Sequence, residues 1–145
     1  MFASTHLMTG LIIGKITGNY SLSLASSVLI DTDHLVPLIQ HRVIFKPKKM
    51  LKSIVSSTDE YGDQRNYLHS FFTWVVVSAV VSIFDLRAGM IVSFSYLSHL
   101  LLDLLDDADF SPLYPLNWRL KGPVKYFSWQ EILISIGLFF VFLIL

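Results

Sequence analysis

A chain of 145 residues is one domain in size, yet 53% of it is hydrophobic and 14% aromatic. Its mean hydropathy of +0.58 implies more apolar surface than a water-soluble core of this size requires, so the excess needs lipid. Eleven basic residues balance eleven acidic ones, so net charge says nothing about partners; no basic stripe suits DNA and no nucleic-acid partner is expected, while the lack of cysteine excludes disulfides, thiolate zinc sites and thiol nucleophiles.

The first five residues carry no positive charge, and the apolar run behind them has no persuasive cleavage site, so no removable signal peptide is expected. Residues Leu7 to Ile30 read as a hairpin of two short helices broken at Gly18-Asn19, a turn signal, with Lys15 snorkelling to an interface. Gly10, Gly14 and Gly18 recur every fourth residue in register with His6. Such a stripe lets a neighbouring helix approach closely and presses His6 toward the bundle. A polar loop follows from His41 to Leu68. Three apolar stretches then stand out, His69 to Phe84, Gly89 to Leu105 and Trp129 to Leu145, of 16 to 17 residues against the roughly 20 that span a bilayer. The first two are joined by a short turn, Asp85 to Ala88, and a second polar loop runs from Asp106 to Ser128. These loops hold nine of the eleven Lys and Arg residues, leaving Lys15 and Arg87 on the other side. The positive-inside rule therefore puts the loops and the N-terminus in the cytoplasm and the C-terminus outside. Trp118, Tyr126, Phe127 and Trp129 form an interfacial belt before the last span. The expectation is one all-α domain over residues 1–145, an integral membrane bundle of about five short helices.

That topology carries the residues least at home in lipid to the same cytoplasmic end: His6, Asp31, Asp33, His34, His69, His99 and Asp103. His99 and Asp103 are four apart and share a helix face, and Ser23, Ser27, Asp31 and His34 form another stripe. Asp33 points about 200° from Asp31 on a regular helix, so it either stands behind another ligand or is itself a ligand freed where the helix ends near Pro37. A lone intramembrane histidine is as readily explained by a hydrogen bond to a backbone carbonyl. The group as a whole, costly to bury, points to metal. Four histidines and three aspartates exceed one four-coordinate ion, making one or two divalent ions plausible, with Zn expected first and Mn or Fe equally suited to such ligands. Arg65, four before His69, can clamp an anionic substrate or a lipid headgroup.

The stretches Thr5-His6 with Gly10, Leu29-Ile30-Asp31-Thr32-Asp33-His34, Leu68-His69-Ser70, Tyr96-Leu97-Ser98-His99-Leu100-Leu101-Leu102-Asp103 and Pro112-Leu113-Tyr114-Pro115 together resemble the YdjM-like family of membrane-bound metal-dependent hydrolases. The resemblance implies hydrolase activity and, more remotely, kinship with zinc-dependent phospholipase C and single-strand nucleases, which makes a phosphoester substrate attractive. Departures are local: Gln64 stands where the family commonly has histidine, Leu68 where it has threonine, and Ile30 where it has proline.

The leading expectation is a hydrolase of the prokaryotic inner membrane acting on a phosphoester such as a lipid headgroup. Water activated by metal attacks phosphorus, and Asp33 or Asp103 accepts its proton. The alternatives are an ion or metal transporter and a protein with a purely structural metal. Repeats that would favour a transporter are absent from the sequence. Membrane lipid is the expected partner, and oligomeric state stays open.

Overall fold

The computed structural model describes residues 1–55, 67–116 and 118–145. The chain opens with a helical hairpin, α1 (Ala3–Thr17) and α2 (Tyr20–Val28). Gly18 makes the turn between them at φ 74°, a left-handed conformation that costs glycine little. Asn19 then caps α2, its side chain accepting from the Leu22 N–H at 3.1 Å. Gly10 faces α2 so closely that a Cβ there would fall on Ser27 Oγ. The small-residue stripe therefore acts within one chain, bringing α1 onto α2.

Beyond α2 the helix tightens into a 3₁₀ stretch, Leu29–His34, before α3 (Leu35–Gln40). Pro37 supplies a reason: it has no N–H for the Asp33 carbonyl four residues back, and its ring crowds that oxygen in an α register. A second 3₁₀ turn, Val43–Phe45, precedes α4 (Pro47–Val55). Two longer helices follow, α5 (Phe71–Phe84) and α6 (Leu86–Asp103), and α7 (Trp129–Ile144) closes the chain. The apolar stretches thus become helices with shifted starts, because polar caps set the boundaries. Ser70 Oγ accepts from Phe72 N at 3.2 Å, so α5 begins two residues after His69. Asp85 Oδ1 accepts from Ala88 N at 3.1 Å, which draws most of the expected turn into α6.

In the bundle α1 packs against α2, α6 and α7, while α6 packs against α1, α2 and α5. Arg87 donates to the Thr17 carbonyl at 3.0 Å and Lys15 to the Phe142 carbonyl at 2.8 Å, tying the end of α1, the start of α6 and the end of α7 together. His6, the 3₁₀ stretch, His69 and Asp103 gather at the opposite end. There the connection from Asp106 to Ser128 folds back through single backbone bridges, Asp106 with Val124 and Phe110 with Leu120. Its Phe110 fills a small apolar core with Ile30, Tyr96 and Leu100.

The apolar and polar surfaces are inverted relative to a water-soluble domain. Buried positions are occupied by more polar and charged residues than hydrophobic ones, while Ile83 and Phe84 on α5 are 80% and 85% exposed, an arrangement suited to lipid contact. Among the described residues one helical run, Tyr20–Gln40, is long and apolar enough to cross a membrane unaided; Phe71–Phe84 and Trp129–Ile144 are apolar but shorter.

The close contact at Gly10 gives a first prediction. Gly10→Val overpacks the α1–α2 contact and is expected to lower stability by about 1–3 kcal/mol, read as a lower thermal midpoint in detergent. An unchanged midpoint would mean that the helices do not meet there.

Candidate metal centre

Six side chains from four parts of the chain converge at the end opposite the Lys15–Phe142 contact. His6 comes from the first turns of α1, Asp31 and His34 from the 3₁₀ stretch, His69 from the segment ahead of α5, and His99 with Asp103 from the last turn of α6. The 3₁₀ geometry matters here. Side chains three apart eclipse one another in a 3₁₀ helix, so Asp31 and His34 share one face and meet, Oδ1 to Nε2, at 3.5 Å. Asp33 is carried to a different neighbour.

Two histidines are oriented from behind. His99 Nδ1 lies 2.7 Å from the Ser27 carbonyl, which can only accept, so Nδ1 carries a proton and Nε2 is the atom left to bind a metal. His69 Nδ1 lies 3.4 Å from Asp33 Oδ2, and that oxygen also accepts the Leu68 N–H at 2.7 Å. The other side of the Leu68 peptide is held by the Tyr96 hydroxyl, which donates to its carbonyl. His69 therefore also turns its Nε2 inward.

The two Nε2 atoms stand 3.2 Å apart. Asp103 Oδ2 is 3.3 Å from His69 Nε2 and 3.4 Å from His99 Nε2. Asp31 Oδ1 is 3.6 Å from His69 Nε2 and 3.5 Å from His99 Nε2. With both rings neutral and protonated on Nδ1, all of these are acceptors facing acceptors. His69 and His99 are fully buried and Asp103 nearly so, whereas Asp31 and His34 each keep 28% of their side-chain surface exposed and form the opening. His6, stacked on the His99 ring at 3.7 Å between centroids, is buried with neither ring nitrogen hydrogen-bonded. Its Nε2 lies 3.4 Å from Asp103 Oδ1, an oxygen that also meets the Met1 amine at 2.9 Å.

These residues fit a divalent cation. Metal–ligand bonds of about 2.0–2.2 Å in a tetrahedron put neighbouring ligand atoms about 3.3–3.6 Å apart, close to the spacings found. Three ligand sets are formed: His6, Asp31 and His99; Asp31, His34 and His69; and His69, His99 and Asp103. An imidazole nitrogen has one lone pair, so the sets cannot all be filled together. The first two share only Asp31, a carboxylate able to bridge two ions. Asp33 stands outside all three sets, behind His69. Arg65 and the neighbouring Gln64 lie outside the described residues.

Two buried acids lie beyond the residues singled out from the sequence. Asp106 is fully buried and meets the Met1 amine at 2.6 Å, its signal being a spacing of three from Asp103. Glu131, buried inside the last apolar stretch, accepts from Phe2 N at 2.9 Å and Phe127 N at 2.7 Å. It ties α7 to the segment that carries His6.

A helical bundle with a buried His/Asp cluster at one end defines an all-α protein with a candidate metal centre. The whole chain, residues 1–145, matches the family described as YdjM inner membrane protein, and it belongs to that family. Neither a curated protein nor a solved structure matches it.

The contact behind His69 yields a prediction. Asp33→Asn keeps an acceptor for the Leu68 N–H but removes the charge that sets the His69 tautomer, and is expected to weaken divalent-metal affinity by about 10–100-fold. Chelator competition measures this; unchanged affinity would show that Asp33 does not act through His69.

Proposed function

We propose that this protein is a membrane-embedded, metal-dependent hydrolase acting on a phosphoester in the lipid headgroup layer of the cytoplasmic face. The observation that carries the reading is the facing pair of imidazole nitrogens flanked by Asp31 and Asp103 carboxylate oxygens within 3.3–3.6 Å, a set of ligand atoms at the spacing a divalent cation requires. Such a cation supplies Lewis acidity and makes water a stronger nucleophile near neutral pH. Two ions would be held by the sets that do not compete for a nitrogen, His6 with His99 and His34 with His69, so that each of the facing nitrogens would serve its own ion, and Asp31 belongs to both sets.

Asp103 then has a separate role. Its Oδ2 faces both His69 and His99, so it is positioned to take the proton of the water that attacks phosphorus as the ester oxygen leaves. Asp33 acts through His69 as a positioning residue. Substrate enters past Asp31 and His34, the exposed side of the cluster. The basic residues of the two connections at this end favour the cytoplasmic side, with the N-terminus inside and the C-terminus outside, and they complement an anionic headgroup. Arg65 belongs to the first of these connections and is proposed to contact the substrate phosphate.

In lipid nanodiscs supplied with zinc or manganese, the protein is expected to hydrolyse phosphoesters. Asp103→Asn is expected to cut kcat by about 10²–10⁴-fold. Metal retained without turnover across a screen of phosphoesters and esters would overturn the enzyme reading and leave the ion a structural role.

A further inference from the structure

The mechanism makes no use of α4. At 100° per residue, Lys48, Lys49 and Lys52 occupy an arc of about 100°, and Met50 with Leu51 centre about 160° away. Lys46, Lys48 and Lys49 are exposed. So are Phe45, at 77%, and Leu51, at 64%. Large apolar side chains standing open beside lysines are not arranged for water. Among the described residues α4 packs against the Val43–Phe45 turn before it, and the helix buries Ser53.

Its position in the chain restricts where it can lie. Tyr20–Gln40 is the run long and apolar enough to cross a membrane, and a helix of 21 residues extends about 30 Å, the thickness of the hydrocarbon core. Gln40 therefore ends near the membrane surface. Arg42, in the left-handed region at φ 54°, turns the chain there, and α4 starts a few residues later.

We propose that Phe45 and α4 form an interfacial anchor for anionic lipid. The helix lies in the plane of the membrane surface, with Phe45 and Leu51 at the acyl boundary. Lys48 and Lys49, with Lys52 one turn on, meet the phosphates of anionic headgroups. Charge complementarity selects this occupant: a basic amphipathic helix beside a membrane span binds negatively charged lipid more strongly than neutral lipid. The anchor does not depend on the hydrolase reading.

The chain has no cysteine, so nitroxide labels can be placed singly at Leu51→Cys and Lys48→Cys in the full-length protein, reconstituted in phosphatidylcholine vesicles with or without phosphatidylglycerol. Collision rates with oxygen and with a water-soluble nickel chelate report depth. Phosphatidylglycerol is expected to shield the Leu51 label from nickel and expose it to oxygen, while the Lys48 label stays accessible to nickel. The combined change Lys48→Glu, Lys49→Glu and Lys52→Glu should abolish the response without altering the helical circular dichroism. Two results overturn the proposal: a Leu51 label equally open to nickel in both lipids, and shielding that follows protein density rather than phosphatidylglycerol, which would assign this face to a second copy of the chain.

Discussion

His69 and His99 hold two imidazole nitrogens 3.2 Å apart, and each ring has an acceptor on its far side to hold a proton on Nδ1, Asp33 for one and the Ser27 carbonyl for the other. Lone pairs therefore face one another across a gap bordered by Asp31 and Asp103. In the interior of a bundle with an apolar exterior, water screens such a contact poorly, and buried like-signed groups cost several kcal/mol unless something of opposite sign lies between them. The architecture at this end of the molecule follows from the need to build that gap and hold it open for a cation.

Several local features serve this purpose together. Close contact between α1 and α2 at Gly10 carries His6 to within stacking distance of His99. The 3₁₀ stretch, which Pro37 favours by denying Asp33 its α-helical partner, sets Asp31 and His34 on one face while leaving Asp33 to meet His69 from behind. On the far side of His69, Ser70 caps α5 and also donates to the Tyr114 carbonyl at 3.0 Å. That contact draws the returning connection over the cluster. Glu131 does the same for α7. The packing core is small, and polar contacts at the helix ends carry much of the specificity.

Much of this arrangement was legible in the sequence. The Gly18-Asn19 turn, the apolar helices and the loop order imply that His6, Asp31, His34, His69, His99 and Asp103 share one end, and the four-residue spacing of His99 and Asp103 implies a common face. Less legible was Asp33, because α periodicity says only that it diverges from Asp31; its contact with His69 depends on a change of helix type. The Ser27 carbonyl has no sequence signature, since every residue carries one. Asp106 and Glu131 were visible as acids near or within apolar runs, but their burial comes from backbone N–H groups and an amine that tertiary folding delivers. The sequence also suggested several membrane spans, whereas among the described residues a single run, Tyr20–Gln40, meets the length and hydropathy of a span alone.

The central claim, that the cluster is a metal centre, is tested most directly by elemental analysis of protein purified in detergent without chelator, wild type beside His99→Ala. The account predicts divalent metal in whole-number proportion to the wild-type chain and its loss from a variant that keeps its helical content. A folded wild type that stays metal-free after incubation with zinc, manganese and iron would contradict it, and would make the His/Asp cluster a polar packing network.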